Sequence, residues 1–224
     1  MTTYDRPTDA PPALRDLRDL RDLLAVPVVA GLGLALLDLV AMTHLGYPWA
    51  NLANSSAVWA VGAFVLGASL RTEPHLAASA GIVMMVVAVE SYYVFAILGG
   101  LAGPDSLWSS GTRTWLVLGV VAGAVFGTAG AWTTGSSWWR HVLGAAVGGG
   151  VLIGEALHTG LNLEQASGPF HTDLVRSSGL LVLLGCLLVA GTARTPRVMV
   201  PAAIVTVPVA LFSAMAFAAV GIAY

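Results

Sequence analysis

The chain has 224 residues, of which 57% are hydrophobic and only 10% charged, with a net charge of −2 and a mean hydropathy of +0.81. Soluble domains carry about 25% charged residues, and a core holding this much apolar side chain would leave too few polar residues to cover it. Collagen-like, disordered and disulfide-stapled architectures are excluded too, because the 26 glycines follow no triplet period, the apolar content is high and Cys186 is the sole cysteine.

The fold class that remains is all-α, a polytopic helical membrane bundle. Residues 1–22 read as a cytoplasmic extension. Met1 to Pro12, with three prolines among polar neighbours, is expected to be disordered. The triplet repeat Leu14-Arg15-Asp16, Leu17-Arg18-Asp19, Leu20-Arg21-Asp22 predicts a short charged helix pairing Arg15 with Asp19 and Arg18 with Asp22. It balances acids and bases and precedes a run long enough to span, unlike a cleavable signal.

Residues 23–224 form the transmembrane domain. A spanning helix needs roughly 20 mostly apolar residues. Seven stretches approach this: Leu23 to Leu45, Asn54 to Leu70, His75 to Leu98, Thr114 to Thr133, His141 to Leu161, Leu174 to Ala193 and Val198 to Ala223. The second is short, and the seventh carries Pro208 in its interior, where a kink or tilt is expected.

Short cytoplasmic loops retain positive charge. Placing the N-terminus inside and the C-terminus outside puts Arg6, Arg15, Arg18, Arg21, Arg71, Arg140, Arg194 and Arg197 in the cytoplasm and leaves Arg113 and Arg176 outside. Tyr47, Trp49, Trp108, Trp115 and Tyr224 then mark the outer boundary, and Trp132, Trp138 and Trp139 the inner one. All ten basic residues are Arg, in a chain rich in Ala, Gly, Val and Leu, as expected of a GC-rich bacterial genome. The expected location is therefore the bacterial cytoplasmic membrane.

Three acids fall inside the spans: Asp38, Glu90 and Glu155. Such residues are costly in lipid and normally face the bundle interior or a cavity. They lie on the first, third and fifth spans, each about 15 residues after the helix enters. At 1.5 Å per residue that is about 22 Å into a core of about 30 Å, so all three share the outer third. Trp59 lies at the same level, Tyr93 one turn after Glu90, and His158 one turn after Glu155.

Gly119, Gly123 and Gly127 make a small-residue stripe on the fourth span. The fifth carries Gly144 and Gly148 on one face and Gly150 and Gly154 on another, which marks it as central. Glu155 lies seven residues beyond Gly148 and continues that face towards a packed neighbour.

Three carboxylates at one level need a counter-charge or protons. That predicts a protein that binds or moves a cation or a proton-coupled small solute through a site lined by Asp38, Trp59, Glu90, Tyr93, Glu155 and His158, with aromatic faces available to an organic cation. The alternative is a structural or regulatory subunit whose acids are paired with Arg113 and Arg176, in a homo-oligomer or with a membrane partner. A third reading, a metal-dependent membrane enzyme, rests on Glu155-Ala156-Leu157-His158, whose spacing puts two ligands on one face, with Asp38, Glu90, His44 or His171 to complete a shell. No catalytic residue is assigned: His-Glu-x-x-His and Gly-x-Ser-x-Gly are absent, and Cys186 reads as packing. No organic cofactor is expected, since phosphate-loop and dinucleotide fingerprints are absent, and no nucleic acid, since there is no basic patch. The absence of an inverted repeat counts against transport.

The run Asn54-Ser55-Ser56-Ala57-Val58-Trp59 leading into Gly62-Ala63-Phe64, with Glu90-Ser91-Tyr92-Tyr93 and Gly154-Glu155, resembles an uncharacterised family of small multi-pass membrane proteins from actinobacteria. The resemblance covers roughly the first five spans. It implies a helical membrane fold and no chemistry, and it draws attention to Asn54, Trp59, Glu90 and Glu155.

Overall fold

A computed structural model describes residues 12–165 and 167–221, arranged as eight α-helices. They are α1 Pro12–His44, α2 Trp49–Ala53, α3 Ser56–Leu70, α4 Pro74–Leu98, α5 Ser110–Trp132, α6 Trp138–Leu161, α7 Pro169–Thr192 and α8 Pro196–Val220. Two 3-10 turns, Pro104–Trp108 and Leu163–Gln165, join α4 to α5 and α6 to α7, and there is no strand among the described residues. The Leu-Arg-Asp repeat is the start of α1 and runs unbroken into its apolar part. The expectation of disorder before Pro12 and the placement of Tyr224 lie outside the described residues.

Local sequence explains the helix boundaries. Pro74, Pro169 and Pro196 open α4, α7 and α8 at a position where a missing N–H costs nothing. Ser55 and Ser109 cap α3 and α5, their side chains accepting from the N–H groups of Val58 and Thr112 at 3.2 and 3.1 Å. The interior prolines Pro201 and Pro208 are accommodated within a continuous α8.

Six helices, α1 from Leu24 onward and α4 to α8, are long and apolar enough to cross a membrane. The short one is α3: its 15 residues rise about 22 Å, less than the ~30 Å of a hydrocarbon core. Exposed apolar side chains cover the outward faces, Leu37 at 70% and Ile204 at 67% among them. That suits a chain whose surrounding solvent is lipid.

Burial singles out α6 as the centre. Of the residues in its apolar span 78% are buried, against 17–33% in the other five long helices. Its glycines make this possible by presenting backbone on several sides. A Cβ at Gly144 would lie 2.5 Å from the Ala129 carbonyl of α5, and at Gly148 2.9 Å from the Phe64 ring of α3. At Gly149 it would lie 2.7 Å from Gly185 of α7, and at Gly150 2.5 Å from Val209 of α8. Without large side chains on either partner, backbones approach closely and gain dispersion contacts that lipid cannot supply.

A second seam joins α4 to α5, where a Cβ on Gly123 would lie 2.5 Å from the Gly81 carbonyl. α1 closes the other side of α4 through a buried stripe of Pro27, Gly31, Ala35, Asp38 and Ala41. Gly31 lies against Met84, Val87 and Ala88.

Candidate functional site

The polar residues gather around the first turn of α3. Asp38, Tyr92 and Glu155 each lie six residues from the C-terminal end of their helices, about 9 Å of rise below the ends of α1, α4 and α6. Trp59 lies three residues into α3. All four therefore occupy one level, near the end of the bundle that carries Tyr47.

Because α3 is short, its N-terminus ends below that surface and leaves backbone N–H groups inside the protein. Ser55 is only 1% exposed there. Glu155, also 1% exposed, reaches across from α6, and its Oε2 accepts from the Ala57 N–H at 2.6 Å. A carboxylate suits this place twice over, as a charged acceptor for an orphan donor and as a negative charge at the positive end of a helix dipole. The register argument from Gly144 and Gly148 places Glu155 on the correct side, since those glycines face α5 and α3. What it touches is a helix end.

Asp38 flanks the same turn from α1 and is 2% exposed. The Trp59 indole N–H is set against its carboxylate, and Tyr92 lies within its electrostatic reach. The Asp38–Trp59 approach falls short of hydrogen-bond geometry, however, so among the described residues both carboxylate oxygens and Trp59 Nε1 are buried without a bonded partner. Trp59 packs edge-on against Tyr92 with ring centroids 6.2 Å apart, and Tyr92 against Tyr93 at 5.6 Å. The cluster thus contains two unbonded acceptor atoms, one unbonded donor and aromatic walls. An isolated buried carboxylate is among the costliest groups a fold can carry, which makes Asp38 the residue that asks for a ligand.

Glu90 stands apart. Ala88 faces α1, against Gly31, and Val89 faces α5, against Gly119. At 100° per residue Glu90 is 200° round from Ala88 and 100° beyond Val89, on the side of α4 with neither contact. It is partly exposed there. The expected lining by Asp38, Glu90 and Glu155 is accordingly revised. Asp38 and Glu155 border α3 through different residues, and Glu90 shares their depth, partly exposed, on the side of α4 away from the Ala88 and Val89 contacts. Tyr92, one turn beyond Ala88, takes the interior position, and Tyr93, one turn beyond Val89, lies towards α5 with its ring edge-on to Tyr92.

His158 is 7% exposed and lies against Phe217 of α8, ring centroids 6.2 Å apart. His158 thus has a ring contact on α8 and Glu155 a hydrogen bond to α3, and among the described residues no three of His, Cys, Asp and Glu gather as metal ligands. The residues present do not fit a metal shell of Glu155, His158 and a third donor, nor one completed by His44 or His171, both exposed. The expected counter-charges are placed elsewhere too. Arg176 pairs with Asp173 at 3.6 Å, one turn back on its own helix, and the exposed Arg113 donates to the Ser109 carbonyl at 3.4 Å.

Sequence reasoning missed Tyr92 and Ser55. Tyr92 lies four residues beyond Ala88 and eight beyond Met84, so the stripe of small and apolar residues on α4 carried the signal. Ser55 is three residues before Val58 at the head of an apolar run, a capping pattern.

The sequence matches, over residues 15–222, the family described as "Family of unknown function (DUF6518)". No curated protein and no solved structure matches it.

Proposed function

Because the chain belongs to the DUF6518 family, which brings no activity with it, we propose from the geometry that Asp38 is the binding group of a small membrane protein that holds or moves a proton or a small cation. The carrying observation is the Asp38 carboxylate, 2% exposed, whose two oxygens and the adjacent Trp59 Nε1 have no hydrogen bond among the described residues. A cation or proton on Asp38 offsets the desolvation of its charge. Trp59 and Tyr92 present ring faces and edges around the same volume, which suits an organic cation as well as an inorganic one. Glu155 is the framework acid that holds the first turn of α3, and with it Trp59, in place.

The reading includes seven spans with α3 as the short second one, the N-terminus in the cytoplasm, the C-terminus outside and the bacterial cytoplasmic membrane as the location. The division of arginines, eight to two, supports that orientation. The Asp38 cluster then lies in the outer third.

The test is reconstitution into liposomes with a pH-sensitive dye, together with tryptophan emission titrated with protons, sodium, potassium and choline. The parent is expected to give a saturable response to at least one of these. Asp38→Asn should abolish it while melting as the parent does, and Trp59→Phe should remove the emission change. A full response in Asp38→Asn, or none in the parent to any of the four, overturns the proposal.

A further inference from the structure

At the opposite end of the bundle a cleft of about 1060 Å³ opens between the end of α3, the α5–α6 turn, the start of α6 and the end of α7. Three helix boundaries deliver an arginine to it. Arg71 ends α3 and holds a left-handed backbone conformation, φ 48°, that side chains other than glycine and asparagine seldom adopt. Arg140 is the third residue of α6, and Arg194 follows the end of α7 by two residues. Among the described residues no Asp or Glu lines the cleft, and none of the three arginines pairs with a carboxylate. Glu73, the nearest acid in sequence to Arg71, is engaged with His75 at 3.3 Å.

We propose that this cleft binds a phosphate group, that of an anionic phospholipid headgroup. Retention of positive charge in the cytoplasm requires arginines somewhere on that side but does not require three to share a cleft, where they repel one another. A phosphate relieves that repulsion, and the planar guanidinium fork matches its oxygens. The cleft also changes character with depth. Leu188 lines it four residues, about 6 Å, below Thr192 at the end of α7. Val65, in the same wall, is 53% exposed on the outer face of α3. Basic groups at the mouth and an apolar wall open to the lipid side fit a headgroup with its acyl chain better than a free phosphate compound. His141 forms part of the frame: its Nε2 donates to the Thr192 carbonyl at 2.8 Å, fastening α6 to α7 across the cleft. Basic pockets between spans on the cytoplasmic side are suited to this class of ligand. The proposal is independent of Asp38.

The experiment uses the full chain in dodecyl maltoside and compares melting on addition of phosphatidylglycerol, phosphatidylcholine and inorganic phosphate, with native mass spectrometry of bound lipid. Phosphatidylglycerol near saturation is expected to raise Tm by roughly 5–10 °C, phosphatidylcholine to leave it unchanged and inorganic phosphate to shift it far less. Arg140→Gln and Arg194→Gln should each weaken the response about tenfold, the triple variant with Arg71→Gln should lose it, and Arg113→Gln at the other end should keep it. If inorganic phosphate alone reproduces the full shift and the arginine variants lose it, the lipid assignment is overturned in favour of a soluble phosphate compound. Equal shifts with the two lipids overturn the anionic-headgroup assignment, and an undiminished response in both single variants overturns the phosphate site itself.

Discussion

Removing the Glu155 carboxylate should cost stability in a graded way. In Glu155→Ala the Ala57 N–H, buried at the head of α3, loses a charged acceptor at 2.6 Å. Hydrogen bonds to charged groups contribute about 1.5–3 kcal/mol, and a charge at a helix end adds about 0.3–1 kcal/mol, so the loss is about 2–4 kcal/mol before any cavity is counted. For a chain of this size, that corresponds to a Tm lower by roughly 4–16 °C. Glu155→Gln keeps an oxygen for the N–H and loses only the charge, which reduces the cost to about 1 kcal/mol. Ser55→Ala, which removes the neighbouring cap on Val58, should cost about 1 kcal/mol. Melting followed by tryptophan emission in detergent separates these variants. Glu155→Ala melting within about 1 °C of the parent, or Glu155→Gln as costly as Glu155→Ala, would refute the capping role.

The glycine seam between α4 and α5 predicts opposite outcomes one turn apart. Gly123→Ala places a methyl 2.5 Å from the Gly81 backbone and should cost about 1–3 kcal/mol, whereas Gly119→Ala meets nothing closer than the Met85 Cβ at 3.5 Å. The second change should be neutral or gain up to about 1 kcal/mol in helix propensity, and equal melting of the two variants would show that the seam is not close-packed. Glu90→Leu should insert and melt at or above the parent temperature, because the side chain points away from α1 and α5. Failure of that variant to fold would place Glu90 against a packed neighbour.

Depth was legible in the sequence and azimuth was not. Counting residues from the start of a span placed Asp38, Glu90 and Glu155 at one level, because rise per residue is a constant of the helix. Which way each one points depends on the neighbouring helices. For Glu155 that information was present in Gly144 and Gly148, whose missing side chains mark the packed face. For Glu90 the small residues that orient α4 lie at Gly81, Ala88 and Ala96, out of phase with it, and only the positions of α1 and α5 make that visible. The same applies to Tyr93 and Tyr92, one residue and 100° apart. Pairing across helices was beyond reach for another reason. Arg176 satisfies itself on Asp173 within its own helix, a local option that depth alone does not reveal. The short α3 was visible as a short apolar run, but the consequence, a helix end inside the protein that needs an acid from α6, depends on contacts 98 residues apart.

That separation bears on how the protein is made. α3 is synthesised and enters the membrane long before residue 155 leaves the ribosome, so for most of translation the head of the helix lacks the carboxylate that completes it. The later arrival of α6 brings that carboxylate and the glycine faces against which α7 and α8 settle. The seams among α1, α3, α4 and α5 can close before α6 is made, but the head of α3 is completed, and α7 and α8 find their packing faces, only with α6. A chain truncated before Glu155 should be recognised by membrane quality control as unfinished, even with the four apolar helices that precede α6 already made.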